Sequence, residues 1–460
     1  MGAIVAGARA DDATPGLRIE AENARVRSVG AQLQSIWNLW SDGELGDYVD
    51  VSANAALEVR VRAYGSPAVG EWPRMGIAVD DAAIGSTLVK SAEPGIYAFS
   101  LTASKGIHKI AVTFDNDLVK GNEDRNLYID WIEIGPDAAL GDPAAWARTA
   151  DADTAAADTA ALNDAHAAIE TVRKGGVTLR VVDAGGAPVA NAPIAVELNR
   201  HAFLFGCNIY GFDAFRSAAE NAAYKKRFEE LFNYATTGFY WRSYEPVRGQ
   251  PQYAKTDAVV AWCAALGIRV KGHPLLWDHE ASRPAWAGGQ PAADVQEARV
   301  REIVARYKGK IEFWEVVNEP AHARGVTIDA PYRWARETDP AAHLIVNDYR
   351  VMDNGFAPFF DLLQDAIAHD VPFDGIGIQA HEPRTMRFPL ARVKAVLDRY
   401  AALGKTLHIT EFTPTSAGAR ITGSHVKGVW DEQAQAEYAE QFYTVCFAHP
   451  AVAAITWWDL

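Results

Sequence analysis

Beyond residue 200 the chain repeats one theme, a short apolar run followed by an amphipathic segment. The runs are HAFLFGCNI, TTGFYW, IRVKGHPLLW, IEFWEVVNE, HLIVND, GIGIQAH, TLHITEF and AAITWW, with segments such as AYKKRFEELF, FFDLLQDAIAH and QAEYAEQFYTVCF between many of them. A strand–helix rhythm repeated in this way predicts an α/β fold, a parallel (β/α)8 TIM barrel. Chemistry in such a barrel sits at the C-terminal ends of the strands. His273, Asn318, Glu319, Asp348, His381 and Glu411 all stand at or just past the end of a run. The sequence stops at Leu460, directly after the eighth run, so the last helix of the barrel is expected to be absent, with the helical stretch near residues 161–174 as a candidate cover.

The first part of the chain has another rhythm. Residues 17–135 alternate apolar and polar residues in short runs, among them ALEVRVRAY, HKIAVTF and NLYIDWIEI, and turn residues separate them. Alternation repeated over short runs predicts a β-sandwich of jelly-roll type. Residues 136–175 follow as an Ala/Asp-rich linker without apolar period, then a helix that stops at Gly175-Gly176. The third region, 176–460, opens with an expected hairpin, VTLRVVDAGGAPVANAPIAVEL, and carries the barrel.

Composition narrows the partners. A net charge of −15 excludes nucleic acid as a ligand, since phosphates demand clusters of Lys and Arg. No apolar run reaches the roughly 18 residues that cross a bilayer, so no membrane partner is expected. A monomer is expected as well, although hydropathy does not bear on oligomeric state. Ala8-Arg9-Ala10, after a shortened apolar segment, has the form of a signal-peptidase site. Read as the remnant of a signal it points to a secreted, periplasmic or extracellular protein; the alternative is a featureless terminus. Cys207, Cys263 and Cys446 are odd in number and widely spaced, which gives neither a disulfide framework nor a metal motif.

Two carboxyl groups facing one site can cleave a glycosidic bond, one protonating the leaving oxygen and the other attacking the anomeric carbon or activating water. WEVVNEP puts Asn318 and Glu319 at the end of the fourth run, and HITEF puts Glu411 at the end of the seventh. Strands four and seven lie across a barrel mouth, a geometry compatible with the short carboxylate separation of a retaining enzyme. Asn318 is placed to bond a sugar 2-hydroxyl, and His381 to orient Glu411. Trp277 and Trp458 are candidate floors beneath sugar rings, part of a high count of 14 Trp. A rival reading gathers His273, His279, Glu319 and His381 into a zinc site, but their spacing is not that of a metal motif and Glu411 would have no role.

The ordered set YEPVRGQPQY, KGHPLLW, RYKGKIEFWEVVNEP, NDYR, GIGIQAH and HITEF resembles the family 10 glycoside hydrolases, which are dominated by endo-β-1,4-xylanases. The resemblance runs from about residue 176 to the end. It implies double displacement, without a cofactor for catalysis, on β-1,4-xylan or a related plant-type β-glycan, with Glu319 as acid/base, Glu411 as nucleophile and His381 as partner of the nucleophile. It further implies that Asn318, Gln379, His273, Trp277 and Trp458 surround the sugar. The chain departs from the family at TTGFYW, where Thr237, Gly238 and Tyr240 replace an Asn-Glu pair and a Lys and only Trp241 is kept, and at Asp278, where the family has His. Tyr240 and Trp241 are therefore expected on the altered sugar-binding surface. These losses leave a second reading open, a catalytically weak or inactive polysaccharide-binding protein on a glycosidase barrel.

IEAE, WNLWSDGELGDYV, EWPRMGIAVD and FDNDLVKGNEDRNLYIDWIEI resemble the calcium-dependent xylan-binding modules of carbohydrate-binding families 36 and 60. That resemblance implies a Ca²⁺ bridging protein and sugar at Asp117, Asp124 and Asn126, and a structural ion at Glu20, Glu22 and Asp130.

Overall fold

The computed structural model describes residues 16–322, 327–381 and 383–458. The Ala8-Arg9-Ala10 motif and Leu460 lie outside them. Contacts divide the chain into two compact units between residues 153 and 154.

The first unit is a sandwich of two antiparallel sheets. One runs in the order Ala31–Leu33, Ile36–Leu39, Asn126–Ile134, Ala55–Ser66, Gly95–Ala103, with Leu17–Glu20 added to Asn126–Ile134. The other runs Ala138–Leu140, Gly43–Val51, Gly106–Phe114, Arg74–Val79, Ala82–Leu88. Alternation does the work that period-two patterning predicts: Leu57, Val59, Val61 and Ala63 are buried and enter the core, while Glu58, Arg60, Arg62 and Tyr64 between them face outward.

The second unit is a closed parallel barrel. Its strands are β1 (Leu204–Asn208), β2 (Tyr234–Gly238), β3 (Arg269–His273), β4 (Phe313–Asn318), β5 (His343–Asp348), β6 (Gly375–Gln379), β7 (Thr406–Phe412) and β8 (Val452–Trp457). β1 pairs with both β2 and β8, and β3 with β4, so the ring has no free edge. Helices such as Tyr253–Leu266, Ala293–Tyr307, Leu390–Ala401 and Glu432–Ala448 cover the strands. Gly272 on β3 is required by packing, because a Cβ there would lie 2.2 Å from the Trp314 ring. A short strand, Leu276–Trp277, pairs with the end of β4 and sets Trp277 opposite Asn318.

Two stretches differ from the sequence expectation. The Ala/Asp-rich linker is largely helix, a single helix over Pro143–Val172. Alanine is the best helix former, and the apolar period is missing because only Asp158, Ala161 and Ala165 are buried. Ala161 and Ala165 join the barrel core, and Asp158 accepts a hydrogen bond from the Ala391 amide at 3.0 Å. Just past the helix, Arg173 donates to the carbonyls of Phe447, His449 and Val452 and lies over the rings of Phe203 and Phe447, so the expected cover does reach the β8 and β1 entries of the barrel. The hairpin expected at 177–198 is confined to residues 181–189, where a bridge from Val182 to Pro188 and the backbone hydrogen bonds Asp183 to Ala187 and Val189 to Val181 close around a turn at Asp183. Among the described residues its alternating apolar side pairs with no sheet, and Val177 and Val196 stand 81% and 84% exposed. Among the described residues no helix is long and apolar enough to cross a membrane.

Candidate active site

β4, β6 and β7 deliver the polar groups of the site to one end of the barrel. β4 ends at Asn318, and Glu319 follows with φ +55°, a left-handed conformation that turns its side chain out of the strand. The turn is held by the Glu319 amide, which donates to the Asn347 carbonyl at 2.8 Å. One carboxylate oxygen of Glu319 accepts from Trp277 Nε1 at 2.9 Å and the other from Gln379 Nε2 at 3.0 Å. Burial pushes the Glu319 pKa above the usual carboxyl value; the two donors oppose this, and the charges of Glu411 and Asp348 add to it.

Glu411 lies within β7, 5% exposed. One oxygen accepts from Asn347 Nδ2 at 3.3 Å and the other sits 3.2 Å from His381 Nε2. Glu319 and Glu411 line one cavity of about 600 Å³ with Asn318, His273, Tyr240, Trp277, Gln379, His381 and Trp458. The Trp458 ring meets His273 edge-on at 5.4 Å and His381 at 6.2 Å.

Beneath this cavity lies a charged layer that the sequence reading did not single out. Glu315 is fully buried and contacts Lys271 Nζ, His273 Nδ1 and Asn347 Nδ2. Burial alone would raise its pKa, but Lys271 and His273 beside it bring it down to about 2. Asn347, also fully buried, donates to Asn318 Oδ1 at 2.9 Å and so joins the Glu315 layer to both Asn318 and Glu411. Glu315→Gln leaves the buried Lys271 without a counter-charge and is expected to lower stability by about 3–5 kcal/mol, read by chemical denaturation. Because the folded pKa of Glu315 lies below the ordinary 4.5, its contribution is present above that value and is lost as pH falls toward 2. A flat stability curve between those pH values would contradict this assignment.

Other expected residues fall differently. Trp241 does not line the cavity: the helix Trp241–Tyr244 turns it inward, 1% exposed, where Nε1 donates to Glu245 and Arg299 lies over its ring. Tyr240 does line it, with its hydroxyl 3.2 Å from that of Tyr210. Asp278 pairs with Arg283. The four residues of the zinc reading all line the cavity, but among the described residues their ligand atoms form no common cluster. His273 is held by Glu315, Glu319 by Trp277 and Gln379, His381 by Glu411, and His279 stacks on Trp277 at 4.2 Å.

In the sandwich, Glu20 and Asp130 are taken by Arg18 and Arg62 across neighbouring strand positions. With Glu22 they do not share a ligand cluster; among the described residues the one group of three such side chains whose ligand atoms lie within 4.8 Å is His273, Glu315 and Glu411. Glu22 nonetheless keeps Oε2 buried without a hydrogen-bond partner. Asp117 and Asn126 carry the same mark, since Oδ1 of each is buried without a hydrogen-bond partner. Burial raises the Asp117 pKa, and the neighbouring carboxylates of Asp42 and Asp124 raise it further.

A closed (β/α)8 barrel that presents two carboxyl groups and indole rings at the C-terminal ends of its strands has the architecture of a glycoside hydrolase. Residues 198–460 match the model of glycosyl hydrolase family 10, more than half of the chain, and the chain belongs to that family. Residues 58–147 match the model of a Ca-dependent xylan-binding carbohydrate-binding module, CBM60. The chain is 29% identical over 310 residues to the anti-sigma-I factor RsgI6 of Acetivibrio thermocellus, covering 65% of this chain and 38% of that protein. It is 28% identical over 289 residues to endo-1,4-beta-xylanase B of Thermotoga neapolitana, covering 58% of this chain and 79% of that one. Among solved structures, xylanase 10B of Thermotoga petrophila in complex with xylobiose is similar at 24% identity and a TM-score of 0.47, covering 56% of this chain and 83% of that chain.

Proposed function

We propose that the chain is a retaining endo-acting hydrolase of β-1,4-xylan or a related plant-type β-glycan, with Glu319 as acid/base and Glu411 as nucleophile. The observation that carries this reading is the contrast between two carboxyl groups in one cavity. Burial holds Glu319 toward its protonated form, while Asn347 and His381 bind both oxygens of Glu411. In the first step Glu411 bonds to the anomeric carbon, the glycosidic C–O bond breaks, and the leaving oxygen takes the proton of Glu319. In the second, Glu319 takes a proton from water, whose oxygen bonds to the anomeric carbon and releases Glu411.

Asn318, Gln379, His273, Trp277 and Trp458 form the sugar-binding surround. Tyr240, paired with Tyr210, makes an aromatic wall at the position of the replaced Lys. On the sandwich, hard oxygen donors with buried unpartnered atoms suit Ca²⁺, and Asp117, Asp124 and Asn126, with Asp42 beside them, would hold it and offer it to sugar hydroxyls. A polysaccharide partner agrees with a secreted or extracellular setting.

The test is proton NMR of the first products from a β-xylan, with and without chelator. The β-anomer should appear first, and chelator should abolish retention of the chain on insoluble xylan while soluble oligosaccharides are still cut. First release of the α-anomer would refute the retaining pair, and loss of oligosaccharide cleavage with chelator would refute a metal-free site.

A further inference from the structure

The cavity around Glu319 and Glu411 is lined by acidic, aromatic and neutral polar groups, and Arg350 is the one Lys or Arg among its described lining residues. Its placement is built rather than incidental. β5 ends at Asp348, whose carboxylate accepts from the amides of Ala321 and Tyr349, both at 2.8 Å, and from His322 Nδ1 at 2.6 Å. The His322 ring lies between the rings of Tyr349, at 3.6 Å and 18°, and Phe356, at 4.4 Å and 10°. This stack fastens the segment leading into Arg350 to the loop that follows Glu319. Arg350 then adopts φ +61°, a left-handed conformation unusual for a residue with a Cβ, before the short helix Val351–Asn354.

The guanidinium is not used up by the protein. Its side chain is 52% exposed, and its ion-pair partner, Asp353, is 3.7 Å away, beyond hydrogen-bond distance. A rim position and a planar fork of charged donors fit a carboxylate that arrives with the ligand, which a guanidinium binds by two parallel hydrogen bonds and more strongly than it binds a neutral hydroxyl. The backbone fastening puts this charge on the Glu319 side, which is the leaving-group side if Glu319 is the acid.

Resting on the glycanase reading above, we propose that Arg350 forms a subsite for the carboxylate of a uronic-acid side group on the sugar chain leaving from the Glu319 side. The uronate binds the guanidinium fork and displaces the loose contact with Asp353.

The test uses the full chain and two probes, a β-1,4-xylo-oligosaccharide carrying one glucuronic acid side group and the same compound with that carboxyl reduced to the alcohol. The wild type should cut the acidic probe with kcat/KM about two- to fivefold above the reduced one, the range of a partly exposed ion pair. The ratio should fall toward one in Arg350→Ala, lie between in Arg350→Lys, and shrink with added salt. Taken within each protein, the ratio cancels any general loss of rate or folding. A wild-type ratio of one, or the same ratio in Arg350→Ala, overturns the proposal. Calorimetric affinity for the two probes, measured in Glu319→Gln with and without Arg350→Ala, separates the two readings. Absence of turnover with an Arg350-dependent affinity difference would remove the glycanase reading and keep the carboxylate subsite, and absence of that difference removes the subsite.

Discussion

Glu411→Gly is expected to lower cleavage of β-linked substrates by roughly 10⁴-fold or more, as removal of a member of a catalytic unit does. Sodium azide should then restore turnover of an aryl β-glycoside with a good leaving group, and the product should be the α-glycosyl azide. The stereochemistry follows from the site. Glu411 is held in place by Asn347 and His381 and is 5% exposed, so deleting its side chain opens a small space on the face it would attack. Azide entering that space bonds to the anomeric carbon from the same face, the leaving group departs from the other, and no second displacement returns the configuration. Circular dichroism checks that the variant is folded. Substantial residual activity in Glu411→Gly, or a β-configured azide, would show that the nucleophile is another group.

Much of this site is legible in the sequence, and the reasons are physical. Eight apolar runs leave few ways to bury parallel strands, and a closed barrel then dictates that polar residues at run ends meet at one mouth. Glu319, Glu411, His381, Gln379 and Trp458 were found by that logic and by the order of the motifs, and all line the cavity. Glu315 and Lys271 were missed although a signal existed. Each sits within an apolar run, and two opposite charges in strands that become adjacent are tolerated in a barrel interior only as partners. Asn347 carries no such mark, because its value lies in three acceptors supplied by β4 and β7.

Other features depended on neighbours distant in sequence. Tyr240 and Trp241 are adjacent, and once the chain turns into the helix Trp241–Tyr244 only the first faces the cavity. Glu20 and Asp130, which enter as ligands only through the resemblance, pair with Arg18 and Arg62 in the folded sheet, a pairing that the local sequence does not display. The Ala-rich linker shows the limit of periodicity as a guide. A helix that buries only three side chains has little pattern to display, and propensity alone then carries the signal.

Glu319→Ala should separate substrates by their leaving groups. A sugar hydroxyl is a poor leaving group and needs the proton of Glu319, so cleavage of a β-xylan should fall by about 10²–10⁴-fold, the range of general acid catalysis. A dinitrophenyl β-glycoside departs as a stable anion, so formation of its glycosyl-enzyme should be nearly unaffected and dinitrophenol should appear in a burst. Hydrolysis of that intermediate still needs Glu319 as base. Azide, which requires no deprotonation, should therefore speed turnover and give the β-glycosyl azide, opposite to the product from Glu411→Gly. The pH profile supplies the second half of the argument. Burial and the charge of Glu411 raise the Glu319 pKa, so the protonated, active form persists to higher pH than an ordinary carboxyl group would allow. Wild-type kcat/KM should fall as pH rises through that elevated pKa, and this alkaline limb should vanish in Glu319→Ala acting on the dinitrophenyl substrate. An unchanged alkaline limb would assign the proton to a different group, and equal losses on both substrates would mean that Glu319 binds the sugar rather than protonating its leaving oxygen.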